Sequence, residues 1–253
     1  MADVTLTYKG ATIAELSDSG SKTLQTAGRF CEANIGLEYT KPSGGGNDLV
    51  GLVERTLTTF ENSEITNVGR SGFAELRSLT SVSLPNAITI RYNGFNGCSN
   101  LVQYNLPNVT TLEQNSFGNC NKLPHLVFPK VNTIPVNCFI SCWGASAGDF
   151  GATSIAANTF RSCERMNILI LRSKTLVPIG GMDTFANTPF YSGKAGGTIY
   201  IPKMLYDHLG DGSAQDYKAA TNWATYDGYG TITWAPIEGS IYETQYADGT
   251  PIT

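Results

Sequence analysis

The chain has 253 residues and a formal net charge of −4, with 17 basic against 21 acidic side chains. Charged residues make up 15%, well under the ~25% usual for a globular domain, so its surface is built largely from Ser, Thr, Asn and Tyr. A hydrophobic fraction of 41% is enough for a core, no clustered Lys and Arg offer a footprint for nucleic acid, and no apolar run reaches the ~18 residues of a membrane span.

Residues 1–41 read as a small β domain. Val4-Thr-Leu6-Thr-Tyr8 alternates apolar and polar, as a half-buried strand does. Lys9-Gly10 makes a turn, Thr12–Leu16 the return strand, and Lys22–Thr26 and Ile35–Tyr39 complete a four-strand unit. So small a unit buries little surface, which predicts docking on the rest of the chain, on a copy of itself or on a larger assembly. The N-terminus lacks the basic and apolar regions of a signal peptide, so no route through general secretion is visible. Residues 42–48, with Pro42 and three glycines ending at Gly46, form a linker.

Residues 49–202 carry a repeat. Phe73, Phe95, Phe117 and Phe139 stand 22 residues apart, and Phe160 and Phe185 follow after 21 and 25. The cleanest copy is Phe95-Asn-Gly-Cys98-Ser-Asn-Leu101-Val-Gln-Tyr104-Asn-Leu106-Pro107. A fixed period in this range predicts a solenoid whose coils bury their apolar sides by stacking on one another. The segment before each Pro suits a short strand, which Pro stops because it has no N–H for a further ladder bond. The Phe-x-x-Cys unit returns the chain on the other side as a tight turn or a short helical turn. Cys98, Cys120, Cys142 and Cys163 occupy one repeat position, which favours a ladder of buried thiols over disulfides or a metal site. Cys138 lies four residues before Cys142 with no neighbouring His to complete a zinc site, and Cys31 is isolated. The fourth copy is weak. Ala145 and Gly148 stand where large apolar residues belong, and Trp143 beside them either fills their space or projects as an anchor.

Residues 203–237 read as an α/β cap, with short helices at Lys203–Leu209 and Ala214–Thr221 and a strand at Thr231–Trp234. Residues 238–253 are a polar tail that needs a contact to be ordered.

No catalytic, metal or cofactor constellation emerges. His125 and His208 have no nucleophile motif beside them, Asp207, Asp211 and Asp216 do not match a calcium loop, and Ser43–Gly46 lacks the Lys-Ser/Thr of a phosphate loop. The candidate binding surface is the outward side of the strand stack. It holds one column of Ser81, Gln103, His125 and Ile168 and a second of Ser83, Asn105, Val127 and Ile170, with Trp143 as a further candidate. Such a neutral face suits a glycan or a protein, and equally a solvated or intersubunit packing face.

The unit Phe-x-x-Cys-x-x-Leu-x-x-Val/Tyr/Leu-x-Leu/Phe-Pro resembles the BspA-like (Treponema-type) leucine-rich repeat over residues 65–202. Ile199–Pro202 followed by Tyr217–Trp223 resembles the end of such arrays. Ser21–Cys31 is similar to a small β module of phage and prophage structural proteins of Gram-positive bacteria. The resemblance implies a mainly β fold with short helices. A right-handed solenoid of about six coils is preceded by the small β domain, closed by the cap and used for attachment or recognition. The leading expectation is a non-enzymatic phage virion protein, either a tail or baseplate fibre or a capsid decoration or head fibre. It is homo-oligomeric, docked on other virion proteins through residues 1–41 and presents its solenoid to a host-surface glycan or protein. Assembly in a reducing bacterial cytoplasm accounts for free thiols without a signal peptide. The alternatives are a bacterial cell-surface adhesin of the BspA-like type and an intracellular protein-binding scaffold.

Overall fold

The computed structural model describes residues 4–8, 11–16, 37–40 and 57–252. Three N-terminal strands, β1 (Val4–Tyr8), β2 (Ala11–Leu16) and β3 (Leu37–Thr40), form an antiparallel sheet in the order β2-β1-β3. The expected strand at 22–26 and the linker at 42–48 lie outside the described residues, as does Cys31.

From residue 57 the chain is a parallel-stranded solenoid. One side is built from β4 (Thr59–Glu61), β6 (Ser81–Ser83), β8 (Gln103–Asn105), β10 (His125–Phe128), β12 (Ala147–Phe150), β14 (Ile168–Leu171), β15 (Gly197–Ile201) and β16 (Ile232–Pro236). A second side carries two-residue strands, β5 (Asn67–Val68), β7 (Thr89–Ile90), β9 (Thr111–Leu112), β11 (Thr133–Ile134) and β13 (Ser154–Ile155). Paired strands stand in the register the repeat demands: Val82 beside Tyr104, Leu126 beside Gly148, Gly148 beside Leu169.

The third side has no strands, yet it is the most regular. Residues two before and two after Phe73, Phe95, Phe117, Phe139 and Phe160 have positive φ: Ser71, Asn93, Asn115, Asn137 and Asn158 in one series, Glu75, Gly97, Asn119, Ser141 and Ser162 in the other, which Asn187 continues after Phe185. These left-handed residues turn alternate peptide units along the solenoid axis, so each coil donates to the next. The Phe73 N–H donates to the Gly94 carbonyl, Phe95 to Ser116, Phe117 to Cys138, Phe139 to Thr159 and Phe160 to Thr184, all at 2.8–3.0 Å. The Tyr226 hydroxyl accepts the next N–H of this column, from Phe185, at 3.1 Å. Asn recurs here because it visits the left-handed region more readily than other non-glycine residues. The Oδ1 atoms of Asn137 and Asn158 are buried with no hydrogen-bond partner among the described residues, so backbone conformation is what selects Asn at these positions.

Inside, the six repeat phenylalanines stack from Phe73 to Phe185 with ring centroids 4.9–5.9 Å apart. Cys98, Cys120, Cys142 and Cys163 are free and buried. Each thiol donates to the carbonyl of the preceding coil's Phe at 3.0–3.2 Å. In the weak copy, Phe150 fills the volume that Gly148 leaves open; a Cβ on Gly148 would meet the Phe150 ring at 2.6 Å. Trp143 is therefore not needed as filler, and it is 51% exposed.

Beyond β15, α1 (Lys203–Tyr206) is followed by α2 (Trp223–Gly228). The second helix thus lies C-terminal to the expected 214–221. The Asp216 carboxylate draws the N–H groups of Gly210, Gly212 and Lys218 into turns around itself at 2.8–3.0 Å, in competition with helix bonds. Trp223 and Tyr226 pack on Phe185, with ring centroids at 5.5 and 5.3 Å, and continue the aromatic column.

Candidate ligand-binding face

The side chains between the core positions of β4, β6, β8 and β10 point outward. Ser81, Gln103 and Ser83, Asn105 stand side by side on paired strands, and the Asn105 Nδ2 donates to the Ser83 hydroxyl at 3.0 Å. His125 and Val127 are exposed on β10, while Leu126 and Phe128 point inward.

The strand stack is not continuous. β4, β6 and β8 form one sheet and β10, β12, β14, β15 and β16 another. Tyr104 occupies the break. Its ring lies parallel to Phe128 with centroids 5.4 Å apart. Its hydroxyl accepts the Val127 N–H at 2.6 Å and donates to the His125 carbonyl at 3.2 Å. A Val or Leu at this position fits the core; a Tyr is too long, and its polar end reaches the neighbouring strand. Burial pushes its phenol well above the ordinary value of 10.0, which keeps it a neutral donor and acceptor.

The break opens a cleft of about 550 Å³ on the outward face. Ser81, Ser83, Gln103, Asn105, His125 and Val127 all line it, together with Glu61, Val102 and Pro124. A second cleft of about 600 Å³ shares Val102 and Pro124 with the first and holds Trp143 between Lys122, Glu164 and Arg165. The two clefts combine hydroxyl and amide groups with exposed apolar surface at Val102, Val127 and Trp143, the mixture found where proteins contact ligands.

Two candidate residues are not on this open surface. Ile170 is 2% exposed and Ile168 is half-buried, because residues 237–252 of the same chain cover them. The tail thus finds its ordering contact within the chain. Ala147 and Asp149 of the weak copy continue the two outward columns, and Asp149 is linked to the tail through Arg172. Arg172 was not apparent from sequence. It stands where Pro85, Pro107, Pro129 and Pro202 end the other strands, and that substitution was the available signal. Its guanidinium binds Asp149 through Nε–Oδ1 at 2.6 Å and Nη2–Oδ2 at 2.8 Å.

In the C-terminal part, His208 pairs with Asp211 at 2.7 Å, and that hydrogen bond first, with bonds from Ser213, lowers the Asp211 carboxyl to about 2. Among the described residues no group of three or more His, Cys, Asp or Glu side chains is placed to hold a metal, and no helix is long and apolar enough to cross a membrane.

Residues 55–167 match the BspA type leucine rich repeat region in 6 copies. Similar solved structures include the leucine-rich-repeat protein of T. pallidum, at 19% identity and a TM-score of 0.40, covering 49% of this chain and 73% of that one. Another is a leucine-rich repeat protein from Bacteroides ovatus, at 16% identity and a TM-score of 0.36, covering 70% of this chain and 35% of that one. No curated protein matches the chain.

Proposed function

We propose, from the match of residues 55–167 to the BspA type leucine rich repeat region, that the chain is a non-enzymatic adhesin of a bacterial surface, binding a protein ligand on its strand face. The cleft at the break beside Tyr104 carries this reading. It is open and it gathers six candidate residues from three neighbouring strands. Its lining pairs amide and hydroxyl groups with Val102 and Val127, which favours a polypeptide that offers both backbone polar groups and apolar side chains. The virion reading draws on the resemblance of Ser21–Cys31, which lie outside the described residues, and on free thiols without a visible signal peptide, and nothing in the repeat similarity supports it. The cell-surface reading accords with the repeat type and is preferred.

The test is to pan a random-peptide display library on the immobilised full chain, and to probe a glycan array in parallel. Both are repeated with the double variant Ser83→Arg/Asn105→Arg, which fills the cleft without touching the core. Enriched peptides that lose binding to the variant are expected. Peptides indifferent to the variant, or no enrichment at all, overturn the reading, and glycan binding lost in the variant replaces a protein ligand with a sugar.

A further inference from the structure

The strand face continues past the cleft, and its far half is occupied. Outward-facing Ile170 is closed over by Ile237 and Ile252, with Ile168, Tyr200, Tyr242 and Tyr246 packed around them. This cluster is separate from the main core. Its polar contacts are of a kind that reads a polypeptide backbone. The Arg172 Nη1 donates to the carbonyls of Tyr242 at 3.3 Å and Gln245 at 2.8 Å, while the Arg172 carbonyl accepts the Ala247 N–H at 2.9 Å. The Lys174 Nζ meets the Asp248 carboxylate and the Thr250 hydroxyl at 2.8 Å each, and lies 4.6 Å from the Tyr246 ring centroid. The segment's outer side faces solvent, with Ile241 89% exposed.

The covered half and the open cleft share the same columns of outward residues. Val127 is followed by Asp149, then Ile170, then Tyr200 on successive strands. We infer that the face from β12 to β15 is a peptide-binding platform filled in cis by residues 238–252, and that this segment is a strap which a partner polypeptide displaces. Arg172 captures main-chain carbonyls whatever the side chains, so it supplies affinity; the seats of Ile252 and Tyr246 ask for one aliphatic and one aromatic residue. Removal of the strap leaves the Asp149–Arg172 pair intact, because both partners belong to the platform. No buried charge is stranded, which removes the largest obstacle to release. Once released, the platform joins the open cleft into one groove long enough for an extended segment.

This inference deepens the adhesin reading and rests on it for the identity of the partner, but its test does not use the cleft. The probe is a fluorescein-labelled synthetic peptide of residues 237–253, added to the full chain. The variant Ile252→Asp loosens the strap without altering the platform. Wild type, with its platform filled, binds the peptide weakly; Ile252→Asp is expected to bind at least about tenfold more tightly, as the competent fraction rises, and Arg172→Met added to it abolishes binding. Hydrogen exchange of wild type is expected to release amides 238–252 at least about a hundredfold faster than those of β14 and β15, as for a locally opening unit. Strap amides as protected as β14, or an open strap in Ile252→Asp with no gain in peptide binding, overturn the inference. Because Ser83→Arg/Asn105→Arg leaves the platform untouched, failure of the cleft reading and failure of the strap are read separately.

Discussion

The Tyr104 hydroxyl takes the Val127 N–H at 2.6 Å and gives its own proton to the His125 carbonyl at 3.2 Å. One side chain thus holds two backbone groups of β10 at the point where the strand ladder is interrupted. The same displacement of backbone by side chain creates the cleft, so the ladder defect and the candidate site are one feature.

Tyr104→Phe removes both hydrogen bonds and keeps the ring stack on Phe128. The freed N–H and C=O border an open cleft, where water replaces the hydroxyl. The expected cost is therefore about 1 kcal/mol and not the larger penalty of a sealed unsatisfied pair. Urea denaturation measures it, and amide exchange at Val127 should quicken while Leu126 is unchanged. A loss above about 3 kcal/mol would mean that the hydroxyl holds the two sheets together.

The repeat was legible because stacking imposes the same demand on every coil. Phe95, Phe117 and Phe139 must meet ring on ring, and Cys98, Cys120 and Cys142 must each reach the previous Phe carbonyl, so period and residue type recur together. The outward columns followed from strand alternation alone. Two residues of the stack, Tyr104 and Ile170, depart from that pattern for different reasons. Tyr104 reads as an ordinary core residue, and only its length relative to Val82 beside it sends its hydroxyl to the next strand. Ile170 reads as exposed because a short-range pattern does not reveal a segment that returns from 67 residues further along, as Ile237 does. The recurring Asn two residues before Phe95, Phe117, Phe139 and Phe160 is visible in the sequence, but its meaning lies in φ, which no hydrophobic pattern reports.

That column makes a stability prediction. Asn137 sits at φ 57 with its Oδ1 buried and unpartnered. Asn137→Gly should be close to neutral, since the glycine's freedom in the unfolded chain is offset by removal of an unsatisfied polar group. Asn137→Ala, which keeps a Cβ in the left-handed region and loses the Asn preference, should cost about 1–2 kcal/mol. Thermal melts of the two variants decide it: equal losses would show that the side chain, and not the backbone conformation, is what the position requires.

The buried thiols and phenols give a pH dependence with a definite sign. Burial raises Cys120 and Cys163 well above the ordinary thiol value of 9.0, and Cys138 likewise, while Tyr104, Tyr217 and Tyr226 are raised above the ordinary phenol value of 10.0. Each group binds its proton more tightly folded than unfolded. Their contribution is therefore fully present below pH 9 and declines as pH rises through 9 and then 10, where the unfolded chain ionises first. Urea midpoints should be flat in this respect at neutral pH and fall steadily above about pH 9. Cys138→Ser, whose hydroxyl does not ionise in this range, should weaken the slope. A midpoint that stays constant to pH 11 would contradict the burial of these groups.

Asp149 and Arg172 test how tightly the tail is bound to the face. Their side chains are 18% and 6% exposed, and Asp149→Ala leaves the guanidinium with only the carbonyls of Tyr242 and Gln245. Removal of one partner of a buried pair ordinarily costs about 3–5 kcal/mol. Here the loss has an upper bound set by another event. Opening of residues 238–252 exposes Arg172 to water, so the global penalty cannot exceed the free energy of that local opening. Asp149→Ala should therefore lower the unfolding free energy measured in urea by less than about 3 kcal/mol and raise the exchange of the Tyr246 and Ile252 amides toward the rate of free peptide. The double variant Asp149→Leu/Arg172→Leu, which removes both charges, should regain most of the global loss while the tail stays open. If the single variant instead loses the full ~3–5 kcal/mol with the tail amides still protected, the tail is an integral part of the solenoid and not a segment that leaves it.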